Sequence, residues 1–169
     1  MTVPLSRALC RPRFMTFKLS KQFSGSRAIV YTETGNPISV LSSISYPSLP
    51  PPAPNTVNVK FLLCPINPAD LNVIEGVYPK KPYPRTTFAS SGKGSKEHPV
   101  FVAGNEGLAE ITAVGHGVSD LKEGQWVIVT KQQAGTWASC SNFAADDVLE
   151  IPREGLTEVQ GATMTVRDT

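Results

Sequence analysis

The first half of the chain shows short apolar runs with the two-residue period of extended backbone. Residues 27–31 and 38–44 are β-prone, and a turn at 35–37 separates them. Residues 57–66 alternate between polar and apolar at first and then become continuously apolar. The pattern predicts three strands, of which the last ends covered on both faces. The proline-rich stretch 47–54 predicts a stiff, extended connector, with a ligand for a proline-reading module as the alternative.

One short helix is predicted directly after these strands. Pro68 presets the first helical turn, and Asn67 before it is the natural N-cap. Asp70 places a carboxylate near the free amides of that turn, and Gly76 provides a left-handed stop. The sequence therefore predicts a helix over Pro68–Glu75.

The loop after this helix carries a tyrosine in a restricted position. Tyr78 lies between the helix end and Pro79, and the cations Lys80 and Lys81 follow. Because the proline limits the backbone, the phenol of Tyr78 is a candidate proton donor. An ordinary surface tyrosine is the alternative interpretation.

The second half of the chain also predicts short strands. Residues 85–97 are rich in glycine, serine and lysine and predict a surface loop. The 100–114 strand is interrupted by the glycines of 104–107, and further strands are expected at 126–130, 136–143 and 148–151. Short strands between frequent turns, with almost no helical period, predict a mainly β fold of barrel type.

Composition narrows the class of protein. The chain of 169 residues has 40% hydrophobic and 18% charged residues, which predicts a globular protein of one domain. The net charge of +2 does not favour nucleic acid, and no apolar run approaches the length of a membrane helix. Three widely spaced cysteines indicate neither a disulfide framework nor a metal cluster.

The N-terminal segment has its own composition. Residues 1–25 contain five basic residues and several serines, and no acidic residue occurs before Glu33. This composition predicts a mitochondrial transit peptide, with a disordered basic tail as the alternative.

Four motifs occur together in a recognisable order. They are INPADLNVIEGVYPKKP, GNEGLAEITAVG, EGQWVI and GTWASC. In this order they resemble the N-terminal catalytic domain of the mitochondrial trans-2-enoyl thioester reductases, a zinc-free branch of the medium-chain dehydrogenase/reductase superfamily. The resemblance extends over residues 27–166 and implies a GroES-like β-barrel over residues 26–155.

The resemblance also implies how the chain ends. Residues 156–169 are similar to the start of the helix, capped by Thr157, that leads to the family's Rossmann domain. The sequence departs from the family at Arg167, and no G-x-G-x-x-G follows a strand. We therefore expect a truncated chain that is inactive by itself, while the family forms homodimers through the missing domain.

Function is expected from the same resemblance. It implies NADPH-dependent reduction of trans-2-enoyl thioesters, carried on acyl carrier protein or CoA, in fatty acid synthesis in the mitochondrial matrix. Tyr78 matches the family's proton donor. Asn67 is either a helix cap only or also a residue that holds substrate or nicotinamide, and Lys80 and Lys81 either activate the phenol or meet substrate phosphates.

Zinc is not expected, although zinc-dependent relatives carry a histidine and a glutamate in one turn. This chain has Asn105 and Glu106 there, and an amide is a poor zinc ligand. His98 and His116 are interpreted as surface residues. The alternatives to an enoyl thioester reductase are a quinone-reductase-like enzyme of the same superfamily and a non-catalytic barrel module.

Overall fold

The computed structural model describes residues 25–79, 82–84 and 100–165. Within them the expected mainly β fold is confirmed. The strands are β1 (Ser26–Tyr31), β2 (Ser42–Tyr46), β3 (Thr56–Leu63), β4 (Phe101–Val102), β5 (Leu108–Val114), β6 (Trp126–Val129), β7 (Cys140–Ala144) and β8 (Val148–Ile151). The α-helices are α1 (Pro37–Val40), α2 (Pro68–Glu75) and α3 (Glu158–Ala162), and a 3₁₀ turn covers Ala145–Asp147.

These strands form two antiparallel sheets in the described part of the chain. The smaller has the order β2-β1-β4 and the larger the order β7-β3-β5-β6-β8. Residues 137–139 connect them, because the Ile29 N–H donates to the carbonyl of Trp137 at 2.9 Å and the Ser139 N–H donates to that of Arg27 at 2.7 Å. The Phe61 N–H donates to the carbonyl of Ser139 at 3.0 Å. This segment therefore joins the two sheets into a barrel-like body.

The main core lies on one face of the larger sheet. Alternate residues of its strands point inward, as the two-residue period requires. The buried cluster contains Val57, Val59, Ala109, Ile111, Val127, Val129, Ala134, Phe143 and Val148. Each buried aliphatic or aromatic side chain contributes roughly 1.5–3 kcal/mol, so this cluster is the main stabilising element of the fold.

The strand predicted at 38–44 is wrong in its first half. Residues Pro37–Val40 form helix α1, and strand β2 begins only at Ser42. The Ile38 N–H donates to Oδ1 of Asn36 at 3.0 Å, and proline occupies the first turn. The cap and the fixed proline φ therefore outweigh the β-prone side chains for one turn.

Two other strand predictions are wrong in their bounds. The strand predicted over 57–66 ends at Leu63, whose side chain is 37% exposed, so its end is not covered on both faces. The strand predicted over 136–143 begins at Cys140, because residues 137–139 instead connect the two sheets. Within the described ranges, no helix is long and apolar enough to span a membrane.

Candidate functional site

Helix α2 begins with reciprocal hydrogen bonds at its first turn. The Asn67 N–H donates to Oδ2 of Asp70 at 2.7 Å, and the Asp70 N–H donates to the backbone carbonyl of Asn67 at 3.0 Å. The predicted N-cap at Asn67 is confirmed. Since Asp70 is the third helical residue, its carboxylate satisfies an amide that the helix itself leaves free.

The same helix ends in the predicted left-handed turn. Gly76 has φ of +84°, and the Tyr78 N–H donates to the carbonyl of Asn72 at 3.1 Å. The Gly35 N–H donates to the carbonyl of Ile74 at 2.9 Å. The last turn of α2 is therefore fixed to the β1–α1 connection, and the backbone that carries Tyr78 leaves it in a defined direction.

Tyr78 is half-buried in the turn between Gly76 and Pro79. Among the described residues its hydroxyl makes no hydrogen bond, so it is available to a ligand. Lys80 and Lys81 lie outside the described residues. Asn67 and Tyr78 lie at opposite ends of α2, separated by about 12 Å of helix. The structure thus places the two predicted site residues on one helix without bringing them into contact.

A buried polar network surrounds the N-terminus of α2. Nδ2 of Asn67 donates to Oε1 of Glu106 at 2.7 Å, and Nδ2 of Asn105 donates to Oδ1 of Asp70 at 2.8 Å. Asp70 is 2% exposed and Glu106 is 3% exposed. Two carboxylates and two amides therefore form one connected group beneath the helix end.

Three further bonds extend this network to neighbouring segments. The Gln133 N–H donates to Oδ1 of Asn105 at 3.0 Å. Oγ1 of Thr136 donates to the backbone carbonyl of Glu106 at 2.7 Å, and Oγ1 of Thr165 donates to Oε2 of Glu106 at 2.6 Å. The turn between β4 and β5 is thereby connected to α2, to the loop before β7 and to the segment after α3.

Sequence reasoning missed this network. The sequence assigned Asp70 to the first turn of a helix and Glu106 to the turn at residues 104–107, and it indicated no contact between them. One signal was available: Gly104 and Gly107 flank Asn105 and Glu106, which indicates close packing of that turn. In the structure a Cβ on Gly104 would overlap the Trp137 side chain.

Burial changes the acidity of Asp70. It raises the pKa of this carboxyl above its ordinary value, whereas the hydrogen bonds from Asn67 and Asn105 oppose the shift and the negative charge of Glu106 adds to it. Desolvation prevails because the carboxylate lies away from water.

An open apolar groove of about 650 Å³ is lined in part by Ile66, the residue before Asn67, whereas Asn67 and Tyr78 are not among its lining residues. Its apolar lining includes Phe61, Leu62, Leu63, Ile66, Trp137 and Ala138, and Arg27 contributes a cation. Nε1 of Trp137 donates to the carbonyl of Pro65 at 3.0 Å, which fixes one wall. The groove has the size and the lining of a small-molecule site.

Cys64 also lines this groove but is a weak nucleophile. Burial raises the pKa of its thiol to about 12, and Sγ lies 3.0 Å from the carbonyl oxygen of Thr136. The thiol is therefore protonated at neutral pH. It acts as a packing residue.

Metal-binding side chains do not cluster in the part of the chain that the structure describes. No group of three or more histidine, cysteine, aspartate or glutamate side chains has the geometry to hold a metal ion there. The Asn105 amide binds Asp70. His116 is exposed in a turn, and His98 lies outside the described residues.

The described fold and site define the class of protein. Residues 53–161 match the alcohol dehydrogenase GroES-like domain, and the chain belongs to this family. It is 38% identical to enoyl-[acyl-carrier-protein] reductase 2, mitochondrial, of Candida tropicalis over 92% of its own length and 42% of the relative's. It is 39% identical to the mitochondrial enoyl-[acyl-carrier-protein] reductase of Schizosaccharomyces pombe, over 83% of the chain and 37% of the relative.

Several solved structures are also similar to this chain. A complex of Etr1p with NADP and crotonyl-CoA is 39% identical with a TM-score of 0.76, over 84% of this chain and 40% of that one. The mitochondrial 2-enoyl thioester reductase Etr1p/Etr2p heterodimer from Candida tropicalis is 39% identical over the same shares, with a TM-score of 0.73. A putative NADPH:quinone reductase from Bacillus thuringiensis is 28% identical, with a TM-score of 0.65, over 84% of this chain and 38% of that one.

These findings confirm the resemblance drawn from the four sequence motifs. The chain is similar to the N-terminal part of the enoyl thioester reductases of the medium-chain dehydrogenase/reductase superfamily. It spans about two fifths of the length of these relatives.

Proposed function

We propose that this chain forms the GroES-like part of an NADPH-dependent reductase of trans-2-enoyl thioesters in mitochondrial fatty acid synthesis. The observation that carries the proposal is the position of Tyr78, in a loop that Gly76 and Pro79 restrict on either side. Relatives of 38% and 39% identity with names of this activity support it. The acyl group is carried on acyl carrier protein or on CoA.

Tyr78 supplies the proton in this proposal. Reduction of a 2-enoyl thioester adds hydride at the β-carbon and leaves an enolate whose α-carbon takes up a proton. NADPH supplies the hydride when it is bound. A phenol is a weak acid, but a strongly basic enolate accepts its proton readily when the two are held together. Lys80 and Lys81 follow in sequence and are assigned to the activation of the phenol or to substrate phosphates.

Asn67 and the apolar groove position the substrate. The Asn67 side chain donates a hydrogen bond to Glu106, and the preceding residue, Ile66, lines the groove. An acyl chain gains about 0.8 kcal/mol for each methylene that it buries, so the groove favours an extended hydrocarbon over a polar ligand. We assign the acyl chain to this groove.

The described residues do not fit the dinucleotide itself. Every strand pairing within them is antiparallel, whereas a Rossmann phosphate site lies at the carboxyl end of a parallel strand. We therefore assign proton delivery and substrate positioning to this chain. Cofactor binding and dimer formation are assigned to the region that the relatives carry beyond the matched part.

Two experiments test this division of roles between the GroES-like part and the region that binds the cofactor. The purified 169-residue polypeptide should neither bind NADPH tightly nor reduce crotonyl-CoA, whereas a fusion with the remaining region of the Candida tropicalis relative should do both. Turnover by the polypeptide alone would contradict the division. A fusion that reduces quinones but not enoyl thioesters would favour the quinone-reductase alternative. A folded, inactive fusion would favour a non-catalytic module.

Localisation to the mitochondrial matrix is part of the proposal. Residues 1–25, which lie outside the described residues, are basic and free of acidic residues. A reporter carrying residues 1–40 should enter the matrix. The matched control replaces the basic residues of this segment with glutamine. A reporter that stays in the cytosol without these replacements would refute the assignment.

A further inference from the structure

The carboxylate of Glu106 has a different partner on each oxygen. Oε1 accepts from Nδ2 of Asn67 at 2.7 Å, and Oε2 accepts from Oγ1 of Thr165 at 2.6 Å. The side chain is 3% exposed. A single buried carboxylate thus joins the residue before α2 to the segment after α3.

The backbone of Glu106 is fixed independently of these two bonds. Oγ1 of Thr136 donates to its carbonyl at 2.7 Å, and Thr136 is fully buried. A Cβ added at Gly107 would lie 2.7 Å from Sγ of Cys64 and 3.2 Å from the carbonyl oxygen of Leu63, so the turn packs closely on the end of strand β3 and the residue after it. The carboxylate therefore projects from a rigid turn, which is what precise placement of its partners requires.

The accepting oxygens of Glu106 specify which end of an amide faces them. Carboxylate oxygens only accept hydrogen bonds, whereas an asparagine amide has a donor end and an acceptor end. Glu106 therefore holds the NH₂ group of Asn67 toward itself and turns the carbonyl oxygen of that side chain toward the Asp70 N–H at the first turn of α2.

We propose that Glu106 is a positioning residue, which orients the Asn67 amide and makes this orientation depend on Thr165. The functional part of this inference rests on the proposed role of Asn67 in holding the substrate or the nicotinamide. Thr165 lies just after α3, so movement of that segment changes the hydrogen bonding of Glu106 and, through it, of Asn67. The orientation of the Asn67 amide is thus coupled to the segment that carries Thr165.

Nuclear magnetic resonance of the 169-residue chain tests the coupling without any enzymatic activity. The observable is the pair of side-chain amide protons of Asn67, of which the one bonded to a carboxylate resonates at low field. Thr165→Val removes the hydroxyl and should shift these resonances. Thr163→Val is the matched control, since Oγ1 of Thr163 donates instead to the carbonyl of Val159 at 3.0 Å.

Two results would overturn the inference. One is an Asn67 amide that responds equally to Thr165→Val and to Thr163→Val. The other is an Asn67 amide unchanged in Glu106→Gln, because glutamine has an NH₂ donor in place of one of the two oxygens that accept hydrogen bonds here. If Glu106→Gln fails to fold, the comparison of Thr165→Val with Thr163→Val still tests the inference.

Kinetics in the fusion described above separate this inference from the proposed function. Glu106→Gln should lower kcat/KM for enoyl thioesters by about 10- to 100-fold, the usual effect of replacing a residue that orients a site residue. If the parent fusion is inactive while the Asn67 resonances respond as expected, the proposed function fails and the hydrogen-bond coupling stands. If the parent fusion is active and Glu106→Gln retains its kcat/KM, the positioning role is refuted.

Discussion

Thr34 packs directly against Gly76, so closely that a Cβ on the glycine would lie 2.9 Å from both Cβ and Oγ1 of Thr34. Gly76 also has φ of +84°, which L-residues with a side chain rarely adopt. Two independent constraints therefore require glycine at the end of α2. Tyr78 follows two residues later, so these two constraints also fix the position of the backbone that carries its phenol.

Gly76→Ala should lower the free energy of unfolding by more than the cost of placing an alanine in the left-handed conformation. Gly124 provides the matched control, since it has the same φ of +84° but no atom within 4 Å of its Cβ position. Gly124→Ala should cost about 1–2 kcal/mol, the penalty for a left-handed L-residue. Gly76→Ala should cost at least about 1 kcal/mol more because of the overlap with Thr34. Urea unfolding measures both, and equal losses would contradict the packing argument.

Tyr78→Phe tests the proton donor in the fusion protein. The variant keeps the ring and the turn but removes the acidic proton, so kcat should fall by about 10²- to 10⁴-fold. Stability and NADPH affinity should change little, since no hydrogen bond within the described residues is lost. Tyr83→Phe is the matched control. A Tyr78→Phe enzyme with more than about half the parent kcat, in an assay limited by chemistry, would leave Tyr78 as a packing residue.

Asp70 should make stability depend on pH. Its native pKa is raised above the ordinary value of 3.8, so the folded state retains a proton that the unfolded chain has released. The proton that Asp70 retains stabilises the folded state. This stabilisation is complete below the pKa of Asp70 in the unfolded chain and is lost as pH rises through the pKa of Asp70 in the folded state. The free energy of unfolding of the parent minus that of Asp70→Asn should therefore fall as pH rises above 3.8. Denaturant titrations at several pH values measure this difference. A difference that increases with pH would show a lowered pKa instead.

Ile66→Ala tests the assignment of the groove to an acyl chain. Ile66 is 72% exposed, so its replacement costs little stability, but it lines the groove beside Asn67. In the fusion, KM for long-chain enoyl thioesters should rise about tenfold, as for loss of a methylene-sized contact, and KM for crotonyl-CoA should change less.

Ile38→Ala is the control for this prediction, because Ile38 is 94% exposed and does not line the groove. Its KM values should match those of the parent for every chain length. An Ile66→Ala enzyme with the same chain-length profile as Ile38→Ala would place the acyl chain elsewhere.

Local signals in the sequence determined the elements whose causes lie within a few residues. Asn67 and Pro68 start α2, and Gly76 ends it, because capping and left-handed turns depend on the residues at those positions. Thr157 likewise begins α3 as predicted, with Oγ1 accepting from the Gln160 N–H. The alternation at the start of β3 was also readable, since Val57 and Val59 lie in the main core.

Contacts between distant segments were decided only by the tertiary structure. Residues 136–139 have a β-prone sequence, yet residues 137–139 bond to β1 and β3 and bridge two sheets instead of extending β7. The buried network is another example: the sequence assigned Asp70 only to the first turn of a helix and Glu106 only to a turn, whereas the fold places the amides of Asn67 and Asn105 against them. Hydrogen bonds between segments depend on where the chain returns in space. The restricted position of Tyr78, the cap position of Asn67 and the family resemblance therefore identified these two residues as candidates, whereas only the folded chain revealed Glu106 between Asn67 and Thr165.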